Sequence, residues 1–463
     1  MPSNRLESEK MPGLVLKLGI PIMLSMTLQA LYNVIDSIYV SRLGDESIAA
    51  VSLAFPFQQI VVAIATGIGI GTSMLVARLL GQQKDDEANK AGSTALTLAL
   101  LIGVTFLLTG PFLASLYVNF YTDSPLLGEL ARNYIGISIT FCLFQIVGSV
   151  ICFMLQGTGR TMQTLLCLSV GCIANILLDP LFIFAFHLEV KGAAIASVIG
   201  QMLSLMIAIL LLKKNPQLSC YRKGETKLAG PLVKQILGVG LPTMLLQISG
   251  CISLSLVNKI LIGFTPLAVT TFGLYIKVES FVFLPMHGMS FSLVPVTSYN
   301  YGSRNKERIL SALKWSLIYT YLFMALGFLV FQTKPQLLIA LFSPSEALRS
   351  LSDHAFRRIS LCFIGAPVIY LTAGFLQGFG KGFQAMLITL LRQVLGVLPA
   401  AYLLARTMGL DGVWYCYFCG DIVGVSVSLF LFHRLYKTTI KKMITNQKSI
   451  KKPLQSLTLC NDQ

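Results

Sequence analysis

Uncharged stretches restrict this chain more than any other feature. Leu18–Ile35, Gly92–Thr122 and Asn133–Gly159 hold no Asp, Glu, Lys or Arg, and each has about the ~20 residues that a helix needs to cross hydrocarbon. Charged residues make up 12% of the 463-residue sequence, against about 25% in ordinary globular chains. Residues of the AVILMFWYC set reach 54%. One soluble core cannot hide so much apolar surface, because cores stop growing at about 250–300 residues. A soluble enzyme, a secreted disulfide scaffold and a disordered chain are thereby excluded. The runs are continuously apolar rather than alternating, which excludes a transmembrane β-barrel. Met1–Lys17 carries both charge signs, unlike the start of a cleavable signal. The expected fold class is an all-α polytopic membrane protein.

Punctuation by charge, Gly and Pro divides the chain into twelve spans, the fourth over about 131–156 and the tenth over about 355–379. Placing both termini inside puts 25 of the 36 Lys and Arg on the inner side, as the cytoplasmic excess of bases requires. The expected location is therefore a cell membrane, with both ends cytoplasmic. The net charge of +16 is explained by basic loops and the tail Arg434–Lys452 resting against anionic lipid headgroups. No nucleic-acid motif accompanies these bases. All ten cysteines fall in spans, in the middle loop (Cys220) or in the tail (Cys460), so no disulfide framework is expected. Cys416 and Cys419 form a C-x-x-C without a second pair, which points to packing rather than metal or redox chemistry.

The sequence repeats. Gly19-Ile20-Pro21 recurs as Gly240-Leu241-Pro242, Gly67 and Gly81 match Gly288 and Gly302, and Leu155–Arg160 matches Leu376–Lys381, all at an offset of 221. Two copies of six helices follow: residues 1–212 and 235–436, joined by a cytoplasmic linker at 213–234 and followed by a basic tail at 437–463. Six is even, so both copies enter the membrane in the same sense. They should be related by a pseudo-two-fold axis along the membrane normal, with a central cavity between them.

Against this duplication, particular residues form a pattern. They are Gly19-Ile20-Pro21, Asp36 followed by Arg42-Leu43-Gly44, Leu80-Gly81, Gln156-Gly157-Thr158-Gly159, Asn175-Ile176-Leu177-Leu178-Asp179-Pro180, Gly192-Ala193-Ala194 and Tyr299-Asn300-Tyr301-Gly302. With these the chain resembles the multidrug and toxic compound extrusion (MATE) family, near its bacterial DinF-like and MepA-like members. The resemblance spans about residues 15 to 430. It implies an ion-coupled exporter. The family's usual Gln-Gly pair in the eighth helix is replaced here by Phe291-Ser292.

Charges inside a bilayer are costly, so each is a functional candidate. Asp36 lies 19 residues beyond Lys17, and Asp179 lies 19 beyond Arg160, both about 28 Å along a helix. The carboxylates should therefore sit at matching depth in the N-terminal half. Asn175 precedes Asp179 by one helical turn, on the same face. Gln29, Tyr32, Asn33 and Asp36 form a polar stripe on the first helix. Two carboxylates at low dielectric favour keeping one protonated, which makes Asp36 and Asp179 a candidate proton-coupling site with Asn175 and Tyr32 orienting it. The family resemblance implies the same role for the first-helix aspartate and the Asn/Asp pair, and it adds the hydroxyl of Ser197. The competing structural reading is interfacial snorkelling of Asp36 and a helix-ending Asp-Pro turn at Asp179. Carboxylate and amide oxygens also suit Na⁺.

In the second half, Lys277 and Glu279 lie within the eighth span, and the offset sets Glu279 opposite Gln58. Gln29, Asn33, Gln58, Lys277 and Glu279 are the substrate-binding candidates, with Glu279 attracting a cation. Arg392 and Asp421 could pair and lock the bundle. His187, His287, His354 and His433 lack ligand spacing and read as core or interface residues. Gly67, Gly69 and Gly71 suit close helix approach. No G-x-x-x-x-G-K-[ST] cradle exists, so the energy must come from an ion gradient.

The function expected is an antiporter, not an enzyme. It uses H⁺ or Na⁺, takes small cationic amphipathic substrates, requires no cofactor and works as a monomer amid membrane lipids. The rival readings are a lipid-linked saccharide flippase and a channel or membrane-anchored receptor. The major facilitator architecture also has twelve helices, but its Asp-Arg-x-Gly-Arg loop is missing.

Overall fold

A computed structural model describes residues 5–122, 124–215, 217–218, 229–340, 342 and 346–443. The expected linker and tail lie largely outside the described residues, as do Cys220 and Cys460. Among the described residues the chain is helical and has no strand. The first half contains α1 (Met11–Ser41), α2 (Asp45–Gly81), α3 (Asp85–Tyr121), α4 (Pro125–Thr140 and Leu143–Gly157), α5 (Thr161–Ala185) and α6 (Glu189–Lys213). The second half contains α7 (Gly230–Ile262), α8 (Pro266–Gly302), α9 (Lys306–Thr333), α10 (Glu346–Phe363 and Ala366–Gly378), α11 (Gly382–Met408) and α12 (Leu410–Met443). Ten helices are continuous spans, and the two broken ones bring the total to twelve.

The breaks correct the expectation of unbroken fourth and tenth spans. α4 bends by 42° and α10 by 40°. In α10 the cause is written in the sequence: Pro367 has no N–H to continue the ladder, and the preceding Ser360–Phe363 tightens into a 3₁₀ turn. In α4 no Pro or Gly marks the bend. There Cys142 N–H donates to Ile139 O at 3.2 Å and Phe144 N–H to Phe141 O at 3.3 Å, again a 3₁₀ pattern.

Local geometry repeats with the sequence. Gly159 and Gly380 share a φ of +77°, and Gln83 and Arg304, also 221 apart, have φ of 60° and 58°. The contacts between halves repeat as well. A Cβ on Gly81 would meet Tyr299 O at 2.1 Å, and one on Gly302 would meet Arg78 O at 2.2 Å. Exchanging the two copies converts one contact into the other, as a two-fold axis along the membrane normal demands. Gly67 likewise abuts the Gly240 carbonyl, and Gly288 abuts the Met23 backbone.

These approaches lie toward the ends at which α1 and α7 begin, which we call the basic face. Apolar side chains there form one cluster running through both halves, including Leu14, Val76, Met154, Val294 and Leu376. Toward the opposite face the core splits. One cluster belongs to the first half (Val40, Ala114, Tyr134, Ile183) and another to the second (Phe272, Tyr275, Phe356, Trp414). Shared packing at one end and separate cores at the other make a V that is closed at the basic face and open at the other.

Candidate functional site

Pro21 bends the chemistry of α1 before the site begins. It cannot donate to Lys17 O. Thr161 Oγ1, at the start of α5, donates to that freed carbonyl at 3.4 Å, and Ser25 Oγ donates to Pro21 O at 2.7 Å. α1 is thereby docked along α5, which brings the polar stripe of one helix against the Asn/Asp pair of the other.

Asp36 is 7% exposed and Asp179 0%; neither snorkels to a surface. Asn175 Nδ2 donates to Asp179 Oδ1 at 3.3 Å and to Ser197 Oγ of α6 at 3.1 Å. Asp36 lies close enough for its charge to act on the Asp179 carboxyl, and Tyr32 feels both. Asp36 Oδ1, Asn175 Oδ1 and Asp179 Oδ2 are all buried without a protein donor. Three acceptor oxygens therefore face too few hydrogens, and a buried acceptor left alone costs about 1–3 kcal/mol.

Beside this network lies a cavity with about 600 Å³ of empty space, part of it open to the surroundings. Among its lining residues are Gln29, Tyr32, Asn175 and Ser197, together with Phe144, Gln145, Ser149, Cys172, Gln201 and Ser204. No charged residue is among them; the carboxyls sit one layer behind. Sequence reasoning did not single out Gln145 and Ser149 of α4, or Gln201 and Ser204 of α6. A signal was present, since Ser197, Gln201 and Ser204 follow helical spacing on one face.

The remaining predicted substrate residues are not brought to this cavity. Asn33 is exposed, and its amide donates to Gln29 O of its own helix at 2.9 Å. Gln58 Nε2 donates to Tyr134 OH at 3.2 Å within the first half. Lys277 is exposed, because two residues along a helix turns it away from Glu279. Glu279 is half-buried and sits within the electrostatic reach of Arg392 and Asp421. Those two do pair: Arg392 Nε donates to Asp421 Oδ1 at 2.6 Å, with side chains 5% and 4% exposed. The guanidinium already beside Glu279 weakens its attraction for a second cation. Phe291 packs edge-on to Phe153 of α4, ring centroids 6.2 Å apart, so the substituted position serves the contact between halves.

The duplicated twelve-helix fold, with a polar site inside one half, defines a multi-pass membrane transporter. The MatE family profile matches residues 21–181 and 239–403, one stretch in each half. The chain belongs to the MatE family. It is 23% identical over 420 residues to the multidrug export protein MepA of Staphylococcus haemolyticus, covering 90% of this chain and 92% of that one. It is 25% identical over 415 residues to an FAD transporter of Shewanella oneidensis, covering 86% and 89%. A solved structure described as the outward-facing conformation of a multidrug resistance MATE family transporter superposes with a TM-score of 0.89 at 28% identity, covering 96% of this chain and 99% of that one.

Proposed function

We propose that this protein is a proton-coupled antiporter that exports cationic, amphipathic drugs or toxic compounds by alternating access. In this reading it lies in a bacterial cell membrane with the basic face and both termini cytoplasmic, and the V is its outward-open state. It works as a monomer without a cofactor. The observation that carries the reading is the set of unpaired buried oxygens on Asp36, Asn175 and Asp179. A proton on either carboxyl supplies a missing donor and removes the repulsion between two buried charges. Losing that proton when the cavity wets restores the repulsion, so protonation and shape change together. Exchange of one proton for one monovalent cation moves no net charge, so the pH gradient supplies the drive, at about 1.4 kcal/mol per pH unit.

The same three oxygens favour one other reading, a sodium-coupled exporter, because Na⁺ also takes carboxylate and amide oxygens. A lipid-linked saccharide flippase fits less well: Arg392 is spent on Asp421 and Lys277 is exposed, which among the described residues leaves no free buried Lys or Arg for a diphosphate.

The test is ethidium movement in everted vesicles under separate pH and Na⁺ gradients. Movement driven by ΔpH alone is expected, with Asp36→Asn and Asp179→Asn each losing the drive. Movement driven only by Na⁺ selects the second reading. Full ΔpH-driven transport by Asp36→Asn would remove the first-helix carboxyl from coupling altogether.

A further inference from the structure

The chain enters the structure through a short turn, Arg5–Ser8, that comes before α1 and is joined to it. By connectivity the turn belongs to the first half, and Met11 and Leu14 just after it are 5% and 1% exposed. Lys17 Nζ pairs with Glu9 Oε2 at 2.9 Å and holds the intervening segment down on α1. The contacts made by the turn nevertheless cross to the second half. Arg308 Nη2, near the start of α9, donates to Leu6 O at 2.8 Å. Arg308 Nε donates to Asn300 Oδ1 of α8 at 3.1 Å, which fixes the guanidinium in place. Tyr299 OH donates to Glu7 Oε2 at 3.2 Å. The Leu6 side chain is fully buried; it rests against the Gly159 turn between α4 and α5, where a Cβ on Gly159 would lie 3.2 Å from Leu6 Cγ.

The turn therefore straddles the line along which the halves must part when the basic face opens. Nearby contacts across that line include close backbone approaches, Gly81 to Tyr299 and Gly302 to Arg78, the stacking of Arg78 over the Tyr301 ring at 4.6 Å, and a buried bond from Ser298 Oγ to Met74 O at 2.6 Å. Glycine contacts resist little once separated. The charge-assisted bond from Arg308 and the Tyr299–Glu7 bond resist more, because both must be lost before the halves move.

We infer that Arg5–Ser8 is a latch that holds the basic face shut, with Leu6 anchoring it to the first half at the Gly159 turn and Arg308 as its catch. Opening toward the basic face requires Arg308 to release the Leu6 carbonyl and Tyr299 to release Glu7. The latch sets how often the closed V opens at this end, and it acts whichever ion drives the cycle.

Hydrogen–deuterium exchange on the purified full chain, without substrate or gradient, tests this. In Leu6→Ala/Arg308→Met, exchange over residues 67–81 and 294–302 should rise roughly tenfold, the shift that follows loss of one charge-assisted hydrogen bond. Residues 125–140 and 266–280, at the opposite face, should be unchanged. Unaltered exchange at the basic face overturns the latch. A uniform rise at both faces also overturns it, since that is the signature of a merely stabilising contact. If the double variant does not fold, Tyr299→Phe removes only the hydroxyl bonded to Glu7, and its exchange must rise at the same basic-face segments for the latch to stand. Because no transport is measured, failure here leaves proton coupling at Asp36 and Asp179 untouched.

Discussion

The two halves share a chain path and differ in what they do with buried charge. In the first half, Asp36 and Asp179 face an amide, hydroxyls and each other, and no base stands beside them among the described hydrogen bonds and ion pairs. In the second, Asp421 is bound to Arg392 at 2.6 Å. Asp421 is also wedged against Gly365, whose Cβ position lies 2.8 Å from the aspartate Cβ at the bend of α10. Arg392 begins a π-helical turn of α11, and π turns leave the ladder locally irregular. One half leaves its buried carboxyls without a base; the other fixes a bend of α10 and a turn of α11 with an ion pair. A duplicated fold can divide labour in this way because the repeat supplies the frame twice.

The largest expected effect breaks that division if it fails. Arg392→Met leaves Asp421 and Glu279 as buried acids without a base, and breaking such a pair costs about 3–5 kcal/mol. Asp421→Asn should cost less, because Glu279 still accompanies the guanidinium. Arg392→Met combined with Asp421→Leu should recover most of the loss. Asp36→Asn should change stability by under about 1 kcal/mol, since it removes a carboxyl with no cationic partner. Thermal unfolding of the purified variants measures all four. Equal losses for Arg392→Met and Asp36→Asn would erase the contrast between the halves.

The second effect is smaller and turns on likeness rather than difference. Gly81→Ala and Gly302→Ala each place a methyl about 2 Å from a carbonyl of the other half, an overpacking that costs roughly 1–3 kcal/mol. The two losses should agree with each other, because the axis exchanges them. Gly136→Ala, with no atom within 4 Å of its Cβ position, is the control. Both inter-half variants should also raise exchange at the basic face. A loss confined to one of them would mean that the closed end is not symmetric.

Much of this was legible in the sequence, for identifiable reasons. The 221-residue offset was visible because glycines at helix crossings tolerate no substitute: Gly67 and Gly288 recur since both meet backbone. Asp36, Asn175 and Asp179 stood out because charge is rare in apolar helices. The bend of α10 carried Gly365 and Pro367, whereas that of α4 at Phe141–Cys142 has no local breaker and shows only in its 3₁₀ hydrogen bonds. Neutral polar residues were hidden for another reason. Gln145 and Gln201 are cheap to place in any bundle, so only the assembled cavity gives them meaning. The surroundings of Glu279 were equally unreadable, because its charged neighbours, Arg392 and Asp421, come from α11 and α12. The Arg5–Ser8 turn lay below the length at which periodicity says anything.

The smallest effect concerns one amide that the halves treat differently. Gln377 Nε2 donates to Thr243 Oγ1 at 3.0 Å, both side chains buried. Its counterpart at the 221 offset, Gln156, has Oε1 buried without a partner, and Ile22 stands where the other copy has Thr243. Thr243→Val should therefore cost about 1 kcal/mol, the usual worth of such a bond. Ile22→Thr is the informative partner. A buried hydroxyl placed without an acceptor or donor costs about 1–3 kcal/mol, but here it would find Gln156 and its own helix carbonyl, as Thr243 does with Val239 O at 2.8 Å. The net change should fall within about 0.5 kcal/mol of zero, read as an unchanged unfolding midpoint. A loss near the full penalty would show that the axis relating the halves does not extend to the side chains of this pair, and that Gln156 faces something other than α1.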